Sequence, residues 1–203
     1  MNDNVSISGE EKTPNLEKAN ISKFSDEILF TNFTVDSYLD DSLSTLSNSS
    51  LEDIQENNKR IFREFSLKET PKLIAIIEEQ EFEYGFESPA ERFIKEKLRV
   101  NSFVAKEWLN KLFLQMFDNA HIIIGILQAI SHLNYSEIFP TGQTMALAAL
   151  SHKNAEVREC GIRAFESWCN YESLKVLKTV HYPEKWLQDY VNQVIKDIEE
   201  ELQ

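Results

Sequence analysis

The stretch NAEVRECGIRAFESW, residues 154–168, carries the pattern that indicates the fold class. A capping residue, Asn154, is followed by apolar and small residues at steps of three and four, which is the spacing of one helix face. A similar phrase begins 35 residues earlier (154 − 119 = 35), at Asn119. The apolar positions recur again from Leu187, 30 residues after Val157 (187 − 157 = 30). Repetition at such a period indicates stacked helical units, because one unit cannot bury its apolar face alone.

The composition also favours helices. The chain has 203 residues, of which 42% are hydrophobic and 11% aromatic, so it can form a core of ordinary size. It has only 5 Gly and 5 Pro, which is too few turn-forming residues for a fold built of many short strands. We therefore expect an all-α protein.

The charge limits the class of partner. The chain has 21 Lys and Arg against 34 Asp and Glu, a formal net charge of −13. Such a surface repels phosphate backbones and anionic lipids, so we expect neither nucleic acid nor a membrane as the main partner. It suits solubility or a basic protein partner.

The cysteines and the N-terminus favour a cytoplasmic protein. Cys160 and Cys169 lie nine residues apart along one predicted helix, or about 13 Å at ~1.5 Å per residue, which is beyond disulfide reach. We expect both thiols to be reduced. No apolar run follows Met1 and none approaches membrane-spanning length, so we expect neither a signal peptide nor a spanning helix.

Three regions follow from the pattern along the chain. Residues 1–49 are predicted to be a flexible acidic tail, and the segment from Phe24 to Leu46 has aromatic residues that would either fold on a partner or pack on the core. Residues 50–100 are predicted to form a helical cap, and residues 101–203 the repeats. Between them, residues 81–87 alternate as a strand does, or form a loop docked on the core. The predicted helices span 50–65, 72–80, 89–100, 102–116, 119–133, 141–150, 154–169, 173–180 and 183–202, with a loop at 134–140.

The best copy of the phrase resembles a known repeat. Its pattern, with Val157 and Arg158 followed by Gly161, Ala164 and Phe165, is similar to the second helix of short HEAT-type repeats. The resemblance covers residues 101–202 and implies an irregular right-handed α-α superhelix of HEAT-like helix pairs. It also implies that Arg158 has a structural role and ties neighbouring turns together. The irregularity is expected because the other copies have Ile123 and Gln188 where the family has arginine.

The helix predicted from Asn119 to Leu133 is apolar nearly all round. A helix of this kind must be covered on every side. We expect either the N-terminal half of the chain or a partner to cover it, and self-association through it is one alternative.

The resemblance also implies where a partner binds. In HEAT-type folds the second helices line the concave face, and outward positions recur at every fourth residue. The expected function is a non-enzymatic interaction module, an adaptor or regulatory subunit, that binds a protein partner through this face or through the acidic N-terminal segment. The corresponding protein-binding candidates are Ile124, Gln128, His132, Glu159, Arg163, Ser167, Asp189, Gln193 and Asp197.

Catalysis has little support in the sequence. The four histidines, at 121, 132, 152 and 181, lack the four-residue spacing that places two imidazoles on one helix face. No phosphate-binding loop and no serine nucleophile elbow occur. We therefore expect no catalytic residue, metal or cofactor. The alternatives are a HEAT-like enzyme or chromophore lyase, for which the cysteines and histidines are the candidate groups, and an obligate self-assembling protein.

Overall fold

The structure is a computed structural model that describes residues 48–80 and 87–203. Within these residues all regular structure is helical, which confirms the all-α prediction. The predicted tail, except for its last two residues, and the predicted strand or loop at 81–87, except for Glu87, lie outside the described residues. The helices are α1 (Asn48–Glu64), α2 (Thr70–Glu79), α3 (Pro89–Val100), α4 (Ser102–Gln115), α5 (Ala120–Ser131), α6 (Tyr135–Ile138), α7 (Thr141–Ala149), α8 (Ala155–Trp168), α9 (Tyr171–Leu177) and α10 (Lys185–Glu201).

Five of the ten described helices begin at a short polar side chain that caps them. The side-chain oxygen of a capping residue accepts a hydrogen bond from a backbone N–H that would otherwise lack a partner. Ser88, Asn119 and Asn154 cap α3, α5 and α8, and of these Asn154 was predicted above. Helix α4 begins at Ser102 as predicted and is capped by Asn101, whereas α9 begins at Tyr171, two residues before the predicted Ser173, and is capped by Asn170.

The predicted break between the first two helices does not exist. A π-helical turn at Phe65–Glu69 joins α1 to α2 without interruption. In this turn the N–H of Thr70 donates to the carbonyl of Phe65, five residues back. The wider turn accommodates Pro71, which has no N–H for an ordinary helical bond. The hydroxyl of Thr70 also accepts a hydrogen bond of 2.8 Å from the indole N–H of Trp108, so the turn is fixed to α4.

Two further boundaries differ from the prediction. The segment 134–140, predicted as a loop, contains the single helical turn α6. The best-matching helix, α8, ends at Trp168, because Cys169 takes a left-handed conformation with φ of 39° and closes the helix.

Helix α5 is the centre of the core. Its residues Ile122, Ile123, Ile126 and Ile130 are at most 1% exposed, whereas Ile124 is half-buried. It packs against α2 and α3 on one side and against α7 and α8 on the other. The N-terminal helices and the later helices therefore cover most of the surface of α5 together.

The helices predicted to be the second members of each pair lie side by side. Helix α5 packs against α8, and α8 packs against α10. Helix α7 approaches α8 very closely at Gly161, where an added Cβ would lie 3.0 Å from the carbonyl oxygen of Ala146 and 3.0 Å from the Cβ of Ala149. The small residue at this position is therefore needed for packing, as the sequence pattern implied.

A buried carboxylate joins the π-helical turn to its neighbours. Glu69 is only 7% exposed, and its oxygens lie 2.9 Å from Lys72 Nζ and 2.8 Å from Lys97 Nζ. The hydrogen bond from Lys97 is the main reason that the pKa of Glu69 is lowered, and burial acts in the opposite direction. The ionised form of Glu69 is therefore favoured in the folded state.

This arrangement predicts a loss of stability in acid. A carboxyl group whose pKa is depressed by folding stabilises the protein above its unfolded pKa, and that stability is lost as the pH falls through the folded value. We expect Glu69→Gln to cost about 2 kcal/mol at neutral pH. As the pH falls through the lowered pKa of Glu69 and the carboxylate becomes protonated in the folded state, wild type and variant should converge. Urea unfolding at several pH values measures this.

The matched control is Glu64→Gln. Glu64 pairs with Lys68 at 3.3 Å on the surface, and its side chain is 45% exposed. We expect little effect from this substitution, because exposed ion pairs contribute little. Equal costs for the two variants at neutral pH would contradict a stabilising role for Glu69.

Candidate functional site

The nine predicted binding residues lie on three neighbouring helices, and we call them together the candidate face. Each helix contributes three residues that are one turn apart. None of the nine is fully buried, since Ile124, Gln128 and Glu159 are half-buried and the other six are exposed. The face consists of Ile124 and Gln128 on α5 with His132 directly after it, Glu159, Arg163 and Ser167 on α8, and Asp189, Gln193 and Asp197 on α10.

A hydrogen bond joins the first two helices of the face. The hydroxyl of Ser167 donates to the carbonyl of Ser131 over 2.7 Å, next to His132. Ser131 is the last residue of α5, so this bond holds the C-terminal ends of α5 and α8 at the same level. The two rows of candidate residues therefore adjoin.

The centre of the face is an ion pair stacked on an aromatic ring. The guanidinium of Arg163 donates to Glu159 Oε1 from Nη2 at 2.7 Å and from Nε at 3.1 Å. It also lies 5.6 Å from the ring centroid of Tyr190, which joins α8 to α10. The hydroxyl of Tyr190 donates to a carboxylate oxygen of Glu166. Burial and the nearby Glu166 raise the pKa of Tyr190, so the phenol stays protonated and remains a donor.

The part of the face on α10 is more open. Gln193 donates to Asp197 Oδ1 over 2.7 Å, so these two side chains satisfy one another. Asp189 is exposed and makes no ion pair or hydrogen bond with any side chain in the described part of the chain. One carboxylate of the face is therefore free to accept a donor from a partner.

At the opposite edge of the candidate face, His132 contacts Glu91, a residue that the sequence pattern did not indicate. Nδ1 of His132 lies 3.1 Å from Glu91 Oε2. Glu91, in the first turn of α3, is 4% exposed and also accepts a hydrogen bond of 2.7 Å from Lys95. Because 41 residues separate Glu91 from His132, no local pattern predicts the contact. It orients the imidazole and anchors α5 to the cap helix α3.

Trp186 is the residue of this region that the sequence analysis missed. It lies in the first turn of α10, is 51% exposed, and precedes Tyr190 by four residues, so both rings project on the same side of the helix. Trp186, Tyr190, Gln193 and Asp197 are spaced so that they lie along one side of a helix. This spacing is the sequence signal that could have identified Trp186. Exposed tryptophan is enriched at the energetic centres of protein interfaces.

Cys160 and His152 have structural environments. Cys160 is buried, which raises the pKa of its thiol to about 11 and keeps it protonated. His152 is also buried. Its Nδ1 accepts a hydrogen bond from the N–H of Asn154 at 3.0 Å, and its Nε2 donates to the carbonyl of Phe117 at 2.8 Å. Both ring nitrogens are thus occupied, and this histidine is not paired with Cys160 as a nucleophile.

Residues 48–80 and 87–203 contain an open cavity but no metal-binding cluster and no membrane-spanning helix. No group of three or more His, Cys, Asp or Glu side chains in these ranges is placed to hold a metal ion. No helix among them is long and apolar enough to cross a bilayer. An open cavity of about 480 Å³ lies between α3, α4 and α6, lined mainly by charged and polar side chains such as Lys95, Arg99 and Glu137, and none of the candidate-face residues lines it.

Comparisons of the whole chain with protein-family models, with curated proteins and with solved structures found no match.

Proposed function

We propose that this protein is a non-enzymatic interaction module, an adaptor or regulatory subunit, that binds a protein partner through the candidate face. We further propose that its helices form HEAT-like pairs in an irregular right-handed superhelix whose concave side includes this face. The order in which α5, α8 and α10 pack supports that arrangement.

The observation that carries the proposal is the composition of the face. Three helices, fixed to one another by Ser167 and Arg163, present a contiguous set of accessible polar groups with an exposed tryptophan beside them. Protein interfaces are enriched in tryptophan, tyrosine and arginine, and their energetic centre is surrounded by polar contacts. A rigid surface of this kind binds with a small entropic cost, because little has to be ordered on association.

A cytoplasmic location is part of the proposal. Both cysteines of the chain are free, as expected in a reducing compartment. The acidic N-terminal segment is the alternative contact region for the partner, and the experiment below distinguishes it from the face.

The test uses a charge swap that preserves the internal ion pair. The double variant Glu159→Lys/Arg163→Glu keeps an opposite-charge pair at the same spacing but reverses the charge pattern seen by a partner. We expect the tagged full-length wild type to retain a stoichiometric partner from its native lysate. The swap should weaken binding by roughly tenfold or more, because like charges are then juxtaposed across the interface.

The matched control is Lys178→Glu/Glu199→Lys. This pair, at 2.6 Å, joins α9 to α10 and is also half-exposed, but it lies outside the candidate face. We expect the control to retain the partner. Capture of the same partner by both swaps at equal strength would assign binding to another surface, such as the acidic segment. Wild-type protein that returns no partner and forms oligomers in light scattering would overturn the proposal in favour of self-assembly.

A further inference from the structure

An aromatic ring, a carboxylate and a cation form one compact contact at the centre of the candidate face. There Arg163 lies over the ring of Tyr190 and is hydrogen-bonded to Glu159. The ring offers its negative face to the cation, while the carboxylate neutralises the charge from the side. The ring and the carboxylate together therefore bind a guanidinium better than either of them does alone.

The same three-part contact occurs at two other places in the described residues. In each, a cation lies over an aromatic ring and pairs with a carboxylate. The two contacts consist of Arg158 with Tyr182 and Glu184, and Lys97 with Phe93 and Glu69. The distances from the cation to the ring centroid are 5.4 Å and 4.6 Å, respectively.

Trp186 and Asp189 supply the aromatic ring and the carboxylate of such a contact, but they lack the cation. They lie three residues apart on α10, so their side chains are neighbours on the helix surface. The indole is 51% exposed, and no cation lies over it among the described residues. Asp189, as noted above, has no ion-pair partner there. Lys185 precedes Trp186 directly, and adjacent residues on a helix do not face one another.

We propose that Trp186 and Asp189 bind an arginine or lysine side chain of the partner protein. The inference rests on the proposed function and specifies the partner's chemistry. Tryptophan is the aromatic side chain that attracts cations most strongly. The excess of acidic residues, with a net charge of −13, favours the approach of a basic segment over a neutral or acidic one.

The test uses a charged probe and its neutral isostere. Acetyl-Gly-Arg-Gly-amide and acetyl-Gly-citrulline-Gly-amide have nearly the same shape, but only the first is a cation. Each is titrated into the ¹⁵N-labelled full-length protein, and the indole N–H signals are followed by NMR. Trp108 and Trp168 are 1% and 8% exposed and act as internal references, while the signal missing in Trp186→Leu identifies Trp186.

We expect a saturable shift of the Trp186 signal with the arginine probe and no comparable shift with the citrulline probe. Asp189→Asn should weaken arginine binding by roughly two- to fivefold, because charge neutralisation is lost while the ring remains. Glu201→Gln also removes one carboxylate, but at the far end of α10 and outside the candidate face, and it should not weaken binding. Equal shifts with the two probes, or no shift at all, would overturn the inference.

Capture from lysate separates this inference from the proposed function. If the partner is lost in the Glu159/Arg163 swap and also in Trp186→Leu, both proposals are supported. If Trp186→Leu retains the partner at full strength, the cation site is wrong although the face still binds. If the arginine probe binds but no partner is captured, the cation site stands and the proposed function fails.

Discussion

Replacing Gly161 with valine is expected to destabilise the protein by about 3 kcal/mol. An added Cβ at this position would already lie 3.0 Å from the carbonyl oxygen of Ala146, and valine adds two further methyl groups. The obstacle is a backbone atom of α7, which cannot move aside as the end of a side chain can. Because α7 and α8 are both packed on α5, separating them would also loosen the core. Urea unfolding followed by circular dichroism measures the loss.

Gly161→Ala tests the same close approach of α7 and α8 with a smaller side chain, and whether it stabilises or destabilises the protein is decisive. Glycine inside a helix is about 1 kcal/mol less favourable than alanine, so Gly161→Ala would stabilise α8 if space were available. We expect it to destabilise the protein instead, because the added Cβ is too close to Ala146 and Ala149. Lys196→Val, on the exposed side of α10, is the control for Gly161→Val and should cost only about 0.5 kcal/mol, from the β-branched residue and the loss of an exposed ion pair with Glu200. A stabilised Gly161→Ala variant would show that α7 and α8 are further apart than described.

The helices themselves were predictable because their signals are local. A cap such as Asn154 acts on backbone groups within three residues, and apolar spacing is read within a few turns. The central position of α5 also followed from its sequence, because a helix with isoleucines on all sides has to be enclosed. In the candidate face, the nine residues follow from the spacing of four and from the pairing expected of α5, α8 and α10.

What the sequence could not predict depends on contacts between distant residues. The π-helical turn at Phe65–Glu69 is fixed to α4 by a hydrogen bond between Thr70 and Trp108, which are 38 residues apart. The orientation of His132 depends on Glu91, which is equally remote. Trp186 was missed for a different reason, since its exposure is decided by how α10 lies on α8 and not by its own helix. The identity of each of these residues can be read from the sequence, but its environment depends on residues far away along the chain.

Arg158→Met is expected to cost about 2 kcal/mol, because it removes several buried polar contacts at once. The guanidinium of Arg158 donates to the carbonyls of His152 and Lys153 and pairs with Glu184. It also lies over Tyr182, so it ties the start of α8 to the loop before α10. Its side chain is 11% exposed, whereas that of Glu184 is 39% exposed, and solvent therefore screens part of the ion pair.

Arg163→Met is the matched control for this prediction. Arg163 also pairs with a glutamate and also lies over a tyrosine, but its side chain is 46% exposed. We expect it to cost less than about 1 kcal/mol, because exposed ion pairs are weak. In the double variant Arg158→Met/Glu184→Gln the cost should be smaller than the sum of the single changes, since the two residues share one contact. If Arg158→Met costs no more than Arg163→Met, the structural role of Arg158 is contradicted. It would leave a second arginine, besides Arg163, available for the partner.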